Sequence, residues 1–347
     1  MKFFNLFKNL YLLSFLIVGQ CFAASAPPSQ KKLRIGFAMD TLKEERWQKD
    51  KELFSKALEK EGVEVLIQAA NGNAARQVSQ AENLLTQNID LLVVVPADGV
   101  SAAKIVEAAH KQKIKVLSYD RLIKNSAVDM YISFDNEEVG RLQARYLLNR
   151  APKGNYILIG GAPTDNNAQM FRKGQMEVLQ PAIDRGDIKI YADQWAKDWQ
   201  ASEALRHVEN ALTKAKKDNV EIIAVVASND GTAGGVIAAL KQQKLEGKVF
   251  VSGQDADLAG CQRIIDGSQV MTVYKPIHLL AQEAAKIALK MARNEVIPTI
   301  KSVDNGKQSV PAILLTPIQV DIKNLSDTVI KDGFHARNQI YKNSQKG

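Results

Sequence analysis

Short, wholly apolar runs of strand length recur along the chain and alternate with longer amphipathic stretches of helical period. The runs LLVVV (91–95) and IIAVVA (222–227) contain no polar residue, so a strand formed by either is expected to be buried on both faces. Parallel sheets have this property, because each βαβ unit returns its helix over one face of the sheet. The alternation therefore predicts an α/β fold.

The same plan occurs twice. We predict strands at 33–39, 63–68, 91–95, 116–119 and 131–134, and again at 156–159, 188–191, 222–227, 249–252 and 271–274. Helices are predicted near 45–61, 74–88, 99–112, 136–150, 167–184, 201–216, 232–243, 258–266 and 277–293. A chain of 347 residues with this pattern is expected to form two doubly wound parallel-sheet lobes with a cleft between them.

Residues 1–23 have the order of a cleavable signal peptide. Lys2 and Lys8 precede an apolar stretch (10–18) that is too short to span a bilayer, and small residues follow it. Cleavage after Ala23 would leave a mature net charge of 44 − 38 = +6. The alternative is a lipoprotein signal acylated at Cys21, but the preceding Gln20 is larger than the residue such a site usually has. We predict an exported protein.

Motif searches point away from several kinds of catalyst. The sequence has no phosphate loop, no H-E-x-x-H zinc helix and no G-x-S-x-G nucleophile elbow. Two cysteines, Cys21 and Cys261, cannot form a tetrahedral zinc site, and no metal or other cofactor is expected. The four histidines are far apart in sequence, and we predict surface positions for them. The charge of +8 is not concentrated in any run, so nucleic acid is not an expected partner.

Polar and aromatic residues follow most of the predicted strands. In open α/β sheets ligands bind outside the carboxyl ends of the strands, so these residues are candidates for a binding site. They are Asp40, Glu45, Arg46, Trp47, Asp120 and Arg121 in the first half, and Asp165, Asn166, Asn167, Trp195, Trp199, Asn229, Asp230, Asp255 and Lys275 in the second. Planar polar groups can bind adjacent sugar hydroxyls, and an indole can cover the apolar face of a sugar ring. A sugar site in the cleft is therefore expected.

Several candidates have an equally ordinary structural explanation. Asp40, Asn166 and Asp230 fit helix N-caps as well as they fit binding. Trp195 is expected in the core, whereas Trp47, among charged residues, is expected to be exposed into the cleft. The position of the strand ends does not decide between Trp195 and Trp199.

Sequence motifs spread over nearly the whole mature chain resemble the D-xylose-binding members of the ribose- and galactose-binding family of periplasmic proteins. They include ERWQKD (45–50), QAANGN (68–73), YDR (119–121), DNNA (165–168), VVASND (225–230), SGQDADLAG (252–260), MTVYKPI (271–277) and DTVIKDGFH (327–335). Proteins of this family are the substrate-binding components of ABC-type importers. The resemblance implies a periplasmic, non-catalytic sugar receptor, expected to be a monomer, that delivers its ligand to a membrane permease with a separate ATPase subunit.

The resemblance also implies a domain arrangement and a role for each site residue. One lobe would comprise 32–133 and 277–311, the other 134–276 and 312–335, with three crossings between them and a tail at 336–347. The implied hydrogen-bonding residues are Arg46, Asp120, Arg121, Asp165, Asn167, Asn229, Asp255 and Lys275, with Trp47 and Trp199 on either face of the sugar ring.

Three other functions are weaker alternatives. A sugar-responsive repressor with the same core would need a helix-turn-helix segment before the first strand, where this chain has an export signal. An exported sugar-converting enzyme could use Asp120 and Asp255 as acid and base, but neither a general-base histidine nor a metal site accompanies them. A receptor for another pentose or hexose, with or without a role in chemotaxis, remains open.

Overall fold

A computed structural model describes residues 32–298 and 301–342. The predicted signal peptide, its cleavage site and Cys21 lie outside the described residues. The strands are β1 (Arg34–Met39), β2 (Glu64–Ala69), β3 (Leu91–Val94), β4 (Val116–Tyr119), β5 (Met130–Phe134), β6 (Gly154–Gly160), β7 (Ile188–Trp195), β8 (Ile222–Ala227), β9 (Phe250–Val251), β10 (Thr272–Tyr274), β11 (Lys301–Asp304), β12 (Ser309–Leu315) and β13 (Ile318–Val320).

The α-helices lie between these strands and at the end of the chain. They are α1 (Glu45–Glu59), α2 (Ala74–Leu85), α3 (Ala103–Lys111), α4 (Asn136–Arg150), α5 (Asn166–Asp184), α6 (Ala201–Lys217), α7 (Asp230–Gln242), α8 (Leu258–Asp266), α9 (Ile277–Ala292) and α10 (Arg337–Ile340). A 3₁₀ segment spans Lys197–Trp199 and a π-helical turn spans Ser326–Ile330. In the part of the chain that the structure describes, no helix combines the length and apolarity needed to cross a membrane.

Two parallel sheets form the centre of the fold, as the sequence predicts. One has seven strands in the order β11-β12-β5-β4-β3-β1-β2, parallel except for the β11–β12 pair. The other has four parallel strands in the order β7-β6-β8-β9. Strands β10 and β13 pair separately and antiparallel. The predicted α/β class with two doubly wound parallel sheets is therefore confirmed.

The apolar strands are buried on both faces because alternate side chains enter different cores. In β3, Val93 packs in one apolar cluster, whereas Leu92 and Val94 pack in the cluster on the opposite face. In β8, Val225 and Ala224 are divided between two clusters in the same way. Because both faces of these strands are packed in apolar clusters, the strands cannot shift along their own axes. The residues that follow their carboxyl ends are therefore held in place as well.

The chain after α9 differs from the sequence prediction. It adds β11 and β12 to the edge of the seven-stranded sheet beside β5 and then forms β13, none of which the alternation predicts. Pro311 lies inside β12, and a proline ordinarily argues against a strand. Only one of the four residues of β11, Val303, is apolar, and none of the four is fully buried. Local sequence therefore gives little indication of a strand here.

Candidate functional site

All ten side chains predicted to bind a ligand line one cavity at the strand ends. The cavity together with the open space at its mouth contains about 320 Å³ free of atoms, and its walls include Arg46, Trp47, Asp120, Arg121, Asp165, Asn167, Trp199, Asn229, Asp255 and Lys275. Glu44, Phe171 and Gln254 also line it. The structure therefore brings the whole predicted set together, and its role in binding remains a prediction.

Strand ends from both larger sheets and from the two-stranded sheet supply these residues. The seven-stranded sheet positions two pairs, Arg46 and Trp47 in the first turn of α1 and Asp120 and Arg121 after β4. The remaining residues follow β6 to β10: Asp165 and Asn167 at the start of α5, Trp199 in the 3₁₀ segment, Asn229 as N-cap of α7, Asp255 after β9 and Lys275 after β10. Two sets of strand ends thus face each other across the cavity.

The Arg46 guanidinium lies in a buried cluster of carboxylates. Its Nε donates to Asp50 Oδ2 at 3.0 Å and its Nη2 to Asp120 Oδ2 at 2.8 Å, while Nη1 lies 3.7 Å from Asp255 Oδ1. Burial would raise the pKa of Asp120, but the charges of Arg46 and Lys275 outweigh it and hold this pKa below its ordinary value. Asp120 is therefore ionised, and its oxygens act as hydrogen-bond acceptors.

Arg121 connects carboxylates that follow strands of both sheets. Its Nη1 donates to Asp40 Oδ2 at 2.6 Å, and its Nε lies 2.8 Å from Asp165 Oδ2. Asp40 is thus the partner of an arginine and not a helix cap, since the N-cap of α1 is Glu44. Burial raises the pKa of Asp165 above its ordinary value although the Arg121 charge opposes this.

Asn167 holds Asp120 in place from the opposite sheet. Its Nδ2 donates to both the main-chain oxygen and Oδ1 of Asp120 at 3.1 Å, and its own Oδ1 accepts from Asn136 Nδ2 at 3.0 Å. Asp120 adopts a left-handed conformation (φ 61°) that turns its side chain out of the strand direction into the cavity. The neighbouring Asn166 is not part of the cavity lining, and its amide contacts Met170 Sδ.

Trp47 lines the cavity but is not exposed. Its side chain is only 3% exposed because it also packs in the apolar cluster beneath β1, so the predicted exposure is wrong. The guanidinium carbons of Arg46 and Arg121 lie 4.2 and 5.1 Å from the centre of its ring. Such cation–π contacts hold the indole in a fixed position at the cavity wall.

The structure selects Trp199 over Trp195 as the second aromatic residue of the cavity. Trp199 Nε1 donates to Asp165 Oδ2 at 3.2 Å, and its ring meets the Phe171 ring edge-on with centroids 6.3 Å apart. Trp195 is half-buried outside the cavity, with the guanidinium carbon of Arg172 4.8 Å from the centre of its ring. Trp195 therefore packs on the edge of the core, close to the position predicted for it.

Three buried acceptors of the cavity wall have no hydrogen-bond partner among the described residues. They are Glu44 Oε2, Gln254 Oε1 and Asp255 Oδ1. Lys275 Nζ lies 3.0 Å from Asp255 Oδ1 as an ion pair, but the angles are not those of a hydrogen bond. Because buried acceptors are ordinarily satisfied, this wall suits a ligand with several hydroxyl donors.

Asp230 lies behind the cavity and not in its wall. Its carboxylate accepts from Gln269 Nε2 at 2.7 Å, from Thr272 Oγ1 at 3.0 Å and from the main-chain N–H of Asp257 at 2.9 Å. The helix cap of α7 is Asn229, whose side chain accepts from the main-chain N–H of Thr232. Asp230 therefore supports the site from within the fold.

Sequence reasoning missed Glu44, Phe171 and Gln254. Gln254 follows β9 immediately before Asp255, so the strand-end rule applies to it equally. Phe171 lies inside α5, where an apolar residue is ordinarily part of a core. Glu44 carries no local signal beyond its place one residue before α1.

One histidine corrects the prediction that all four lie on the surface. His335 is 4% exposed because its ring packs against the Phe334 ring, with centroids 4.7 Å apart, and its Nε2 donates to the main-chain oxygen of Ala256 at 2.8 Å.

Cys261 is also buried, and burial raises the pKa of its thiol. Within residues 32–298 and 301–342, no three His, Cys, Asp or Glu side chains are placed to hold a metal ion.

Comparison of the sequence with protein families and curated proteins gives consistent matches. Residues 35–295 match the model of the periplasmic binding protein domain. A D-xylose-binding periplasmic protein of Haemophilus influenzae is 52% identical over 94% of this chain and 97% of its own length. A D-xylose-binding periplasmic protein of Escherichia coli is 51% identical over 89% of this chain and 93% of its own length.

Comparison of the fold identifies similar solved structures. The solute-binding protein of a carbohydrate transporter from Chloroflexus aurantiacus, in complex with D-glucose, has a TM-score of 0.84 and 33% identity over 89% of this chain and 98% of its own. An ABC transporter solute-binding protein from Clostridium phytofermentans, with bound β-D-glucose, has a TM-score of 0.82 and 32% identity over 88% of this chain and 99% of its own.

Proposed function

The chain belongs to the periplasmic binding protein family, and we propose that it captures D-xylose in the cavity between its two larger sheets and delivers the sugar to an ABC-type importer. The single observation that carries this proposal is the cavity wall, where ten predicted side chains surround one space with unpaired acceptors. The two D-xylose-binding relatives, identical at about half of the aligned positions, support the choice of sugar.

The cavity wall suits a small, neutral polyol. Its buried cationic side chains already form ion pairs with carboxylates. A charged ligand would therefore add an uncompensated charge to the buried site, whereas a neutral sugar would not. The oxygens of Asp120 and Asp255 can accept from sugar hydroxyls, while Arg46 and Lys275 can donate to them. The indoles of Trp47 and Trp199 would cover the apolar faces of the sugar ring.

Capture is proposed to couple binding to closure of two lobes. One lobe is built on the seven-stranded sheet and the other on the four-stranded and two-stranded sheets, with chain crossings after β5, before α9 and between β12 and β13. A sugar that contacts both lobes stabilises the closed state, because only that state makes both sets of contacts. The closed protein then presents a surface formed by both lobes to a membrane permease.

The protein is proposed to act as a receptor and not as an enzyme. The two similar solved structures are solute-binding proteins of a carbohydrate transporter and of an ABC transporter, and the two curated relatives are D-xylose-binding periplasmic proteins. Hydrolysis of ATP is assigned to a separate subunit, and the receptor is proposed to act in the periplasm as a monomer after removal of residues 1–23.

A receptor for a hexose is the second candidate. Two solved relatives at 33% and 32% identity hold glucose, a hexose whose pyranose ring has the same size as that of xylose but carries one more hydroxymethyl group. Moving a single hydroxyl contact is enough to change the preferred sugar, because a buried polar group left unpaired is costly.

A thermal-shift scan of the mature protein against D-xylose, ribose, arabinose, galactose and glucose tests the proposal. A ligand at a thousand times its Kd adds about 4 kcal/mol of stability, which raises the melting temperature by several degrees. The largest shift is expected with D-xylose. A larger shift with another sugar would keep the receptor and change its ligand, and no shift with any sugar would overturn the proposed function.

A further inference from the structure

Three charged side chains at the start of α1 bind main-chain atoms on the opposite side of the cavity. Lys43 Nζ donates to the carbonyl oxygen of Asp198 at 3.1 Å. Glu45 Oε2 accepts from the main-chain N–H of Leu258 at 3.3 Å. Lys49 Nζ donates to the carbonyl oxygen of Phe334 at 2.9 Å. We call these three hydrogen bonds the cross-cleft contacts.

The two ends of each cross-cleft contact belong to different parts of the fold. Helix α1 packs in the apolar cluster that covers one face of the seven-stranded sheet, through Phe54 and Leu58. On the other side, Asp198 follows β7 and Leu258 begins α8. Phe334 packs on Tyr274 of β10, with ring centroids 5.2 Å apart. The contacts therefore cross between the two proposed lobes.

Of the three side chains, Glu45 is the one that contacts a helix N-terminus as well as two basic side chains. Asp257, the N-cap of α8, makes no side-chain cap, so the Glu45 carboxylate supplies an acceptor to the N-terminus of a helix from another element. Its second oxygen lies 2.9 Å from Lys49 Nζ and 3.7 Å from His335 Nδ1. Lys49 Nζ in turn lies 3.9 Å from the centre of the Phe334 ring.

None of these three side chains lines the cavity, although Glu44, Arg46 and Trp47 between them do. Within residues 43–49, some side chains therefore line the cavity, whereas others lie next to the cavity and bind the opposite part of the fold. Because these side chains lie outside the cavity wall, they are not placed to contact the sugar itself.

We propose that the cross-cleft contacts of Lys43, Glu45 and Lys49 hold the closed state and set the rate at which sugar is released. The inference rests on the proposed function, since it concerns closure around a bound sugar. A ligand that needs the closed state binds in proportion to the population of that state, so contacts present only on closure raise affinity without touching the ligand. The three residues are positioning residues: they are proposed to stabilise the closed arrangement of the lobes without contacting the sugar.

Helix α1 provides a matched control for the test. Glu52 and Lys56 form a second pair with the same residue types and the same spacing of four as Glu45 and Lys49, but both side chains are exposed and the ion pair lies within α1. Glu45→Ala and Lys49→Met are compared with Glu52→Ala and Lys56→Met, and Lys43→Met is measured beside them. Calorimetric titration with D-xylose gives affinity, stopped-flow fluorescence gives the dissociation rate, and melting without sugar reports on the fold.

Each cross-cleft variant is expected to weaken D-xylose binding about three- to tenfold, the net effect of one hydrogen bond, with most of the change in the dissociation rate. The Glu45→Gln variant keeps an acceptor for Leu258 and is expected to recover most of the affinity. The control variants should bind as the wild type does, and sugar-free melting temperatures should stay within about a degree of it.

Two results would overturn the inference while leaving the receptor intact. One is a dissociation rate in Glu45→Ala and Lys43→Met equal to that of the wild type. The other is a loss of sugar-free stability as large as the loss in the presence of sugar, which would indicate a merely structural role. Failure of the wild-type protein to bind D-xylose would instead contradict the proposed function.

Discussion

At the residue scale, the site depends on charges that compensate one another away from water. Arg46, Arg121 and Lys275 are each at most 6% exposed at the side chain, and each has at least one carboxylate within 3.0 Å. An unpaired charge at this depth would be costly, whereas a neutral ligand can join the network through hydrogen bonds alone. Binding and local stability are therefore linked at Asp120, which contacts Arg46 from the cavity wall.

Replacement of Asp120 by Asn tests this link. Asp120→Asn keeps the shape of the side chain but leaves Arg46 with less compensation, so the free energy of unfolding without sugar should fall by about 3 kcal/mol. D-xylose affinity should fall well beyond tenfold, because a charged acceptor in the wall is lost. Urea denaturation and calorimetric titration measure the two effects.

Asp129 supplies the control for Asp120→Asn. Its carboxylate accepts from the main-chain N–H of Val116 and contacts His110, away from the cavity. Asp129→Asn is expected to lower stability and leave D-xylose affinity unchanged. Equal losses of affinity in both variants would mean that Asp120 acts only through the stability of the fold.

Gly161 should be essential for sugar binding although it is not in the cavity wall. A Cβ at this position would lie 2.1 Å from the Trp199 ring, so Gly161→Ala must displace that indole. We expect D-xylose affinity to fall at least about tenfold, the order of effect that follows when a buried aromatic contact is lost. Intrinsic fluorescence of the tryptophans during titration reports the displaced ring.

Gly234→Ala serves as the comparison for Gly161→Ala. Gly234 lies in α7, and the nearest atom to an added Cβ is Arg263 Nη1, the end of a flexible side chain, at 3.4 Å. This variant should bind D-xylose normally and be no less stable, because alanine favours the helix. Normal binding by Gly161→Ala would show that the position of Trp199 does not matter for affinity.

The residues of the site could largely be predicted from sequence, whereas their environments could not. The strand-end rule finds Asp120 and Asp255 because topology alone places each of them just beyond the carboxyl end of a strand in its own sheet. It cannot show that Trp47 is buried, since that depends on a core assembled from distant elements. Nor can it choose Trp199, whose selection depends on the 3₁₀ segment that follows β7.

At the element scale, α7, α8 and β10 are joined behind the cavity by one buried carboxylate. Asp230 begins α7 and accepts hydrogen bonds from Asp257, before α8, and from Thr272 of β10. Burial raises the pKa of Asp230 to about 7, although the Arg263 charge opposes this. The elements that carry Asn229, Asp255 and Lys275 are therefore held together by a group that titrates near neutral pH.

Asp230 should make stability depend on pH in a defined direction. Its pKa in the folded state is about 7, whereas an unfolded aspartate has a pKa of about 4. The folded state thus keeps a proton that the unfolded state releases, and the stabilisation is full below about pH 4 and lost as pH rises through 7. The wild type should lose stability relative to Asp230→Asn by up to about 1.4 kcal/mol per pH unit in this range.

Urea denaturation without sugar at pH 5 and pH 8 measures this difference. Burial and the Asp230 charge both raise the pKa of Asp257, and Asp230→Asn removes the second influence, so the comparison measures the titration of Asp230 together with its effect on Asp257. A difference in free energy of unfolding that stays constant from pH 5 to pH 8 would contradict the expected titration of Asp230.

Elements with clear local signals could be predicted closely, and those without them could not. The predicted bounds of β4, β8, α4 and α8 agree with the structure because polar residues bound the two strands, Asp135 caps the start of α4 and Gly267 ends α8. The strands β11 and β12 depend on pairing beside β5, a contact between residues far apart in the chain. Local sequence does not encode such pairing, and Pro311 argues against it.

At the scale of the whole molecule, the cavity lies where two sets of strand ends face each other. The cavity-lining contacts and the cross-cleft contacts both join these two sets, so both should form when the lobes close. Affinity for sugar and the closed shape are therefore expected to change together, and variants that weaken one should weaken the other.

Small-angle X-ray scattering of the mature protein, with and without saturating D-xylose, tests this account most directly. Calorimetry on the same samples establishes that the sugar is bound. We expect the radius of gyration to fall when D-xylose binds, because the lobes close over it, and to stay at its sugar-free value with a sugar that calorimetry shows not to bind. Bound D-xylose with an unchanged radius of gyration would contradict capture by closure.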